Sequence, residues 1–108
     1  MATKINMIMD QAATFSSSFT VLDVFNNPID FSTYTASSQM RKTYMSVNSY
    51  SFSVTANSTG GITLSMTANN TALIDAGRYV YDVEVVDGVG VKSRIAEGII
   101  TVTPQVTR

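Results

Sequence analysis

Asp75-Ala76-Gly77-Arg78-Tyr79-Val80-Tyr81-Asp82-Val83-Glu84-Val85-Val86-Asp87 is the stretch whose pattern decides the fold. Tyr79, Tyr81, Val83 and Val85 alternate with Val80, Asp82, Glu84 and Val86, which puts an aromatic and aliphatic row on one face of a strand and a more polar row on the other. The residues just before it are a turn carboxylate, a glycine and a tyrosine in the order Asp75-x-Gly77-x-Tyr79. A tyrosine at the start of a buried strand must pair its hydroxyl, and the backbone of the preceding loop is the nearest partner. The stretch therefore reads as a central strand that carries its own corner.

Working outward, Asp87-Gly88-Val89-Gly90 is a hairpin turn, and a last strand follows from Val91 to Val102. Glu97-Gly98 reads as a bulge that switches its inward row from Ile95 to Ile100 and Val102. Pro104 ends the strand, because proline cannot donate to a ladder. Upstream, Phe52, Val54 and Ala56 alternate with Ser51, Ser53 and Thr55, and Ile62, Leu64, Met66 and Ala68 alternate with Thr63, Ser65 and Thr67. Asn57-Ser58-Thr59-Gly60-Gly61 makes these two a hairpin. Asn69 to Ala76 is then a crossing between sheets.

Tyr34, Ala36, Ser38 and Met40 form the inward row of another strand, while Lys42 to Tyr50 reads as a loop or short edge strand. Phe15 to Val24 is apolar on both faces, which suggests burial on both or contact with another chain. Phe25-Asn26-Asn27-Pro28-Ile29-Asp30 marks the turn after it. Residues 1–13, with Ile5, Met7, Ile8 and Met9, read as an arm or edge strand. No helical period and no internal repeat stands out. About seven short antiparallel strands at spacings of about 8–12 residues close most naturally as an all-β sandwich over residues 14–104, with 105–108 as an extension. The Asp-x-Gly-x-Tyr order matches the tyrosine corner of immunoglobulin-like sandwiches, which makes that the expected fold class.

The composition argues against chemistry. With 108 residues the chain suffices for one domain with a core of its own. It has no cysteine and no histidine, so disulfides, thiol catalysis, the commonest general base and the commonest metal ligand are all missing. Seven basic and eight acidic residues are scattered, leaving no basic stripe for nucleic acid. No serine sits in a nucleophile-elbow pattern. The expectation is a non-enzyme with no catalytic, cofactor or metal residues. Asp82, Glu84 and Asp87 could hold calcium through oxygen ligands, but Lys92 and Arg94 on the next strand favour cross-strand charge pairs. Gly88-Val89-Gly90 precedes no helix and is a turn rather than a phosphate cradle. Asn57-Ser58-Thr59 and Asn69-Asn70-Thr71 match the glycosylation pattern, as expected by chance in a chain with 27 Ser and Thr. Tyr34, Tyr44 and Tyr50 could serve as platforms for sugar, against the plainer reading that they pack. The amino end lacks the apolar run of an export signal and no segment is long enough to span a membrane, so synthesis in the cytoplasm is expected.

Pro28-Ile29-Asp30-Phe31-Ser32-Thr33-Tyr34-Thr35, Gln39-Met40-Arg41-Lys42, Gly61-Ile62-Thr63-Leu64-Ser65-Met66, Gly77-Arg78-Tyr79-Val80-Tyr81-Asp82-Val83-Glu84 and the closing Glu97-Gly98 with Thr101-Val102-Thr103-Pro104 together resemble small immunoglobulin-like structural proteins of tailed-bacteriophage virions. The amino-terminal domain of phage baseplate upper proteins and short virion proteins of cyanophages are similar. The resemblance runs from about Phe15 to Arg108. Asn26-Asn27, Phe31 and Thr33 depart from it. It implies an architectural function: docking in many copies on a capsid or tail as a decoration or adaptor subunit, made in the host bacterial cytoplasm and ending in the virion. Other virion proteins and further copies of the chain would be the partners, with no nucleic acid and no membrane. Ile5, Met7, Met9, Phe15, Met45 and Val106 are the candidate interface, and Asp75, Gly77 and Tyr79 the structural corner. Removing residues 1–9 should then weaken assembly and leave the sandwich folded. A glycan-binding module at the host surface is the alternative, and requires a concave patch holding two or more of the loop tyrosines.

Overall fold

A computed structural model describes residues 3–23 and 25–106. It is an all-β, sandwich-like structure. The strands are β1 (Thr3–Lys4), β2 (Met7–Asp10), β3 (Phe15–Thr20), β4 (Thr35–Arg41), β5 (Tyr50–Ser51), β6 (Ser53–Ala56), β7 (Gly61–Met66), β8 (Gly77–Val86) and β9 (Lys92–Thr103), with one short helix, α1 (Ala68–Thr71). The larger sheet runs β1-β9-β8-β4-β5, with β2 also on β9, and the smaller runs β3-β7-β6. The expected strand from Phe15 to Val24 ends at Thr20, and Val24 lies outside the described residues, as do Met1, Ala2, Thr107 and Arg108 of the expected arm and extension.

β8 is the centre, paired antiparallel with β9 on one side and β4 on the other. Its odd-numbered row Tyr79, Tyr81, Val83 and Val85 is buried, as the period of two requires. Met40 on β4, Ile62, Leu64 and Met66 on β7, and Ala96, Ile100 and Val102 on β9 complete one core shared by both sheets. Two further core residues, Phe31 and Ile74, come from connections rather than strands. Phe31 is held by a bond from its N–H to Asn57 O and packs edge-on against Tyr34, with ring centroids 5.2 Å apart.

Three expectations change. β1 and β2 follow the edge-strand reading rather than the arm, but they pair parallel with β9, Lys4 opposite Glu97 and Met7 opposite Ile100, so the strands are not all antiparallel. The bulge between β8 and β9 falls at Ile95, because Val83 faces Ala96 while Glu84 faces Arg94. That extra residue puts Ala96 rather than Ile95 on the inward row. Gly98 has a different task. A Cβ there would collide with the Ile5 carbonyl oxygen, so glycine is what lets the edge strand cross β9 closely. The crossing after β7 also contains one helical turn, capped by Thr67, whose side chain accepts from Asn70 N–H at 3.4 Å.

Candidate functional site

The corner sits where β8 begins. Gly77 adopts φ +143°, a backbone conformation that residues with a Cβ rarely reach, and the Tyr79 hydroxyl donates to the Asp75 carbonyl at 2.7 Å. Burial, then the neighbouring Tyr50 and Asp75, pushes the Tyr79 phenol above its ordinary range. Two residues on, the Tyr81 hydroxyl donates to Ile5 O at 2.6 Å, and burial pushes its pKa up to about 12. Both tyrosines thus tie backbone to the core, one to the crossing segment and one to the edge strand.

Beside the corner lies an open hollow of about 530 Å³ lined by Lys42, Ser46, Val47, Asn48, Tyr50, Asp75 and Tyr79. The Lys42 ammonium stands 4.9 Å from the centre of the Tyr79 ring, and Tyr50 meets that ring edge-on at 6.1 Å. Register explains why these groups meet. β4 ends at Arg41 opposite Val80, β8 begins at Gly77 opposite Val102, and β9 ends at Thr103. Residues 42–49, 72–76 and 104–106 therefore leave from the same end of the molecule.

The 42–49 loop is braced rather than loose. Arg41 Nη1 donates to Ser46 O at 2.7 Å, and the Thr43 and Ser46 hydroxyls lie 3.0 Å apart. From this support Tyr44, Met45 and Val47 project into solvent at 78%, 90% and 92% exposure, and Leu73 and Val106 are exposed on the neighbouring segments. Gln11, which sequence reasoning passed over, joins that end together: its amide donates to Ile74 O at 2.8 Å and its carbonyl accepts from Gln105 N–H at 3.0 Å. Its pattern with distant partners left no local signal.

Of the six residues expected at an interface, the structure removes three. Met7, Met9 and Phe15 belong to the core. The parallel register with β9 turns Met7 and Met9 inward and leaves Ile8 outward at 70% exposure, while the Phe15 ring lies 5.7 Å from that of Phe52. The alternation of the two methionines around Ile8 was visible, but an apolar residue on the outer face as well concealed which face was buried. Ile5 is partly buried against the core, and only Met45 and Val106 are fully presented to solvent.

The outer face of the larger sheet carries the charge pairs. Lys92 reaches Glu84 at 3.6 Å, and Arg94 reaches Asp82 at 3.4 Å and Glu97 at 3.6 Å. These groups are substantially exposed, and such pairs contribute little each. Asp82 is nonetheless raised above its usual carboxylate range, chiefly by burial and then by Glu84, effects that outweigh Arg94. Asp87 stands apart in the turn, accepting the N–H groups of Val89 and Val91 at 2.9 Å each. No cluster of three or more potential metal ligands is found among the described residues. Nor do the three loop tyrosines share a patch: Tyr34 packs on Phe31, Tyr44 borders a shallow hollow over Asp82, and Tyr50 lies in the hollow beside the corner.

No protein-family model matches the sequence and no curated protein matches it. Two solved structures similar to it are an internalin-like protein of Listeria monocytogenes, lmo2027, and a family 123 glycoside hydrolase from Clostridium perfringens. The first is 16% identical with a TM-score of 0.49, over 94% of this chain and 28% of that one. The second is 11% identical with a TM-score of 0.40, over 97% of this chain and 23% of that one. This chain thus spans about a quarter of either protein, and at such values neither protein's role carries over to it.

Proposed function

We propose that the chain is an immunoglobulin-like module with a non-catalytic, architectural role, docking in many copies on the capsid or tail of a bacteriophage virion. Three features support the immunoglobulin-like reading. A three-stranded sheet packs against one ordered β9-β8-β4-β5, the first strand runs parallel to the last, and a tyrosine corner opens β8. The virion setting rests on the sequence resemblance. The observation that carries the docking role is the braced loop with Tyr44, Met45 and Val47 exposed, together with Leu73 and Val106 at the same end. Large apolar side chains held out by a fixed loop are a surface prepared for a protein partner, and Met45 suits a contact that adapts to slightly different neighbours. Mass spectrometry and labelling of purified particles test this reading: copies on the head mean decoration, fewer at the tail or neck mean an adaptor, and absence from particles removes it.

A second reading, glycan binding at the host surface, rests on the hollow beside the corner, which holds Tyr50 but neither Tyr34 nor Tyr44 and so lacks the pair of loop tyrosines expected of it. Its volume is in the range of small-ligand sites, and it combines an aromatic wall from Tyr50 and Tyr79 with the polar groups of Lys42, Asn48 and Asp75. Screening oligosaccharides against the chain by NMR, with shifts sought at Lys42 and Tyr50, tests it; a silent screen removes it.

A further inference from the structure

We infer that residues 3–11 form an exchangeable strand, and that the chain associates by placing this strand in the same slot of a second copy. The slot is specific and must be filled. Ile5 N–H donates to Glu97 O at 2.9 Å, the buried Tyr81 hydroxyl donates to Ile5 O, and Ile99 N–H donates to Asn6 Oδ1 at 3.1 Å. Gly98 leaves room for the Ile5 carbonyl, and Met7 and Met9 fill the core beneath. Further along, Gln11 N–H donates to Thr103 O at 3.0 Å and Thr103 Oγ1 lies 2.7 Å from Asp10 Oδ1. An empty slot would strand the Tyr81 hydroxyl and open the core. A second copy's strand meets every one of these groups identically, so exchange conserves the contacts that simple detachment would lose.

The connection supplies the bias. Between β2 and β3 the chain turns from one sheet to the other through Gln11-Ala12-Ala13-Thr14, and Ala12 is held at φ +65°. A residue with a Cβ is disfavoured there, and short hinges under strain invite swapping. The closed turn has one backbone bond of its own, Ala13 N–H to Asp10 O at 3.2 Å, which water replaces when the hinge extends. Thr71 Oγ1, which donates to Ala13 O at 2.8 Å, keeps Ala68 O within reach at 3.1 Å. The exchange needs only the slot and the hinge, and holds whether the chain assembles on a virion or elsewhere.

The test uses the absence of native cysteine. Ile8 and Thr101 are direct partners across β2 and β9, so Ile8→Cys with Thr101→Cys reports which chain fills the slot. The reduced protein is equilibrated at high concentration near its unfolding midpoint, returned to folding conditions, oxidised, and run on a denaturing non-reducing gel. Disulfide-linked dimers are expected; only intrachain disulfides, whether the protein is monomeric or dimeric in light scattering, overturn the inference. Ala12→Gly removes the strain and should weaken dimerisation by about tenfold, whereas an unchanged constant overturns the role of the hinge. Deleting Ala12 and Ala13 leaves a connection too short to fold back. That chain should be dimeric at every concentration, so a folded monomer overturns the exchange even if the cysteine variant does not fold.

Discussion

Tyr79 and Tyr81 stand two residues apart on the same face of β8, yet their hydroxyls serve different parts of the chain, Asp75 O in the crossing and Ile5 O in the edge strand. Tyr79→Phe leaves a carbonyl without its donor and should cost about 1 kcal/mol in urea unfolding, the net value of such a bond; a neutral result would mean that the corner is merely packed. Tyr81 adds a pH dependence whose sign follows from its environment. Its folded-state pKa, about 12, lies above the 10.0 of an ordinary tyrosine phenol, so between those values the unfolded chain releases a proton that the folded chain keeps. The contribution is therefore intact below about pH 10 and lost as pH rises towards 12. Thermal melts across that window should show Tyr81→Phe falling less steeply than the wild type, and parallel curves would count against the assignment.

At the scale of elements, the edge strand is where structure and expectation part. Because Met7 and Met9 belong to the core, removing residues 1–9 should destabilise the whole sandwich rather than trim an arm. Met9→Ala alone should cost about 2–5 kcal/mol, as for other large-to-small changes in a closed core. Denaturant midpoints of the two variants check this, and a truncated chain as stable as the wild type would show that β2 is dispensable. Gly98→Ala probes the same strand from the opposite side. The added methyl meets the Ile5 carbonyl, backbone that cannot swing aside, so a loss of about 1–3 kcal/mol is expected, with faster amide exchange at Ile5 and Ile99. Loss of stability without that local exchange would place the damage elsewhere.

On the scale of the whole molecule, one end carries the apolar side chains of a braced loop. Tyr44, Met45, Val47, Leu73 and Val106 are exposed there, while the outer face of the larger sheet carries charged pairs beside the exposed Ile8 and Ile99. Met45→Asp with Val47→Asp should leave stability within about 0.5 kcal/mol, since both side chains are in solvent, and on the proposed virion role should lower the number of copies on particles. Full occupancy with unchanged stability would move the docking surface to another part of the molecule. The charge pairs predict nothing so large, because exposed pairs of this kind are screened by salt and water.

Alternation by itself determined the inward rows of β4, β7 and β8, the hairpin at Asn57–Gly61 and the turn at Asp87, because each of these depends on neighbours in sequence and on the period of the pleat. The Asp75, Gly77 and Tyr79 corner was legible for the same reason, its hydrogen bond spanning four residues. What joins distant parts of the chain left no such mark. The parallel pairing of Met7 with Ile100, the burial of Phe31 and Ile74 from connecting segments, and the contacts of Gln11 with Ile74 and Gln105 depend on partners 63 to 94 residues away or on the closure of two sheets. Only the tertiary structure could decide them, since the same methionines at a period of two would suit an interface or a core equally until β9 supplied the register that turned them inward.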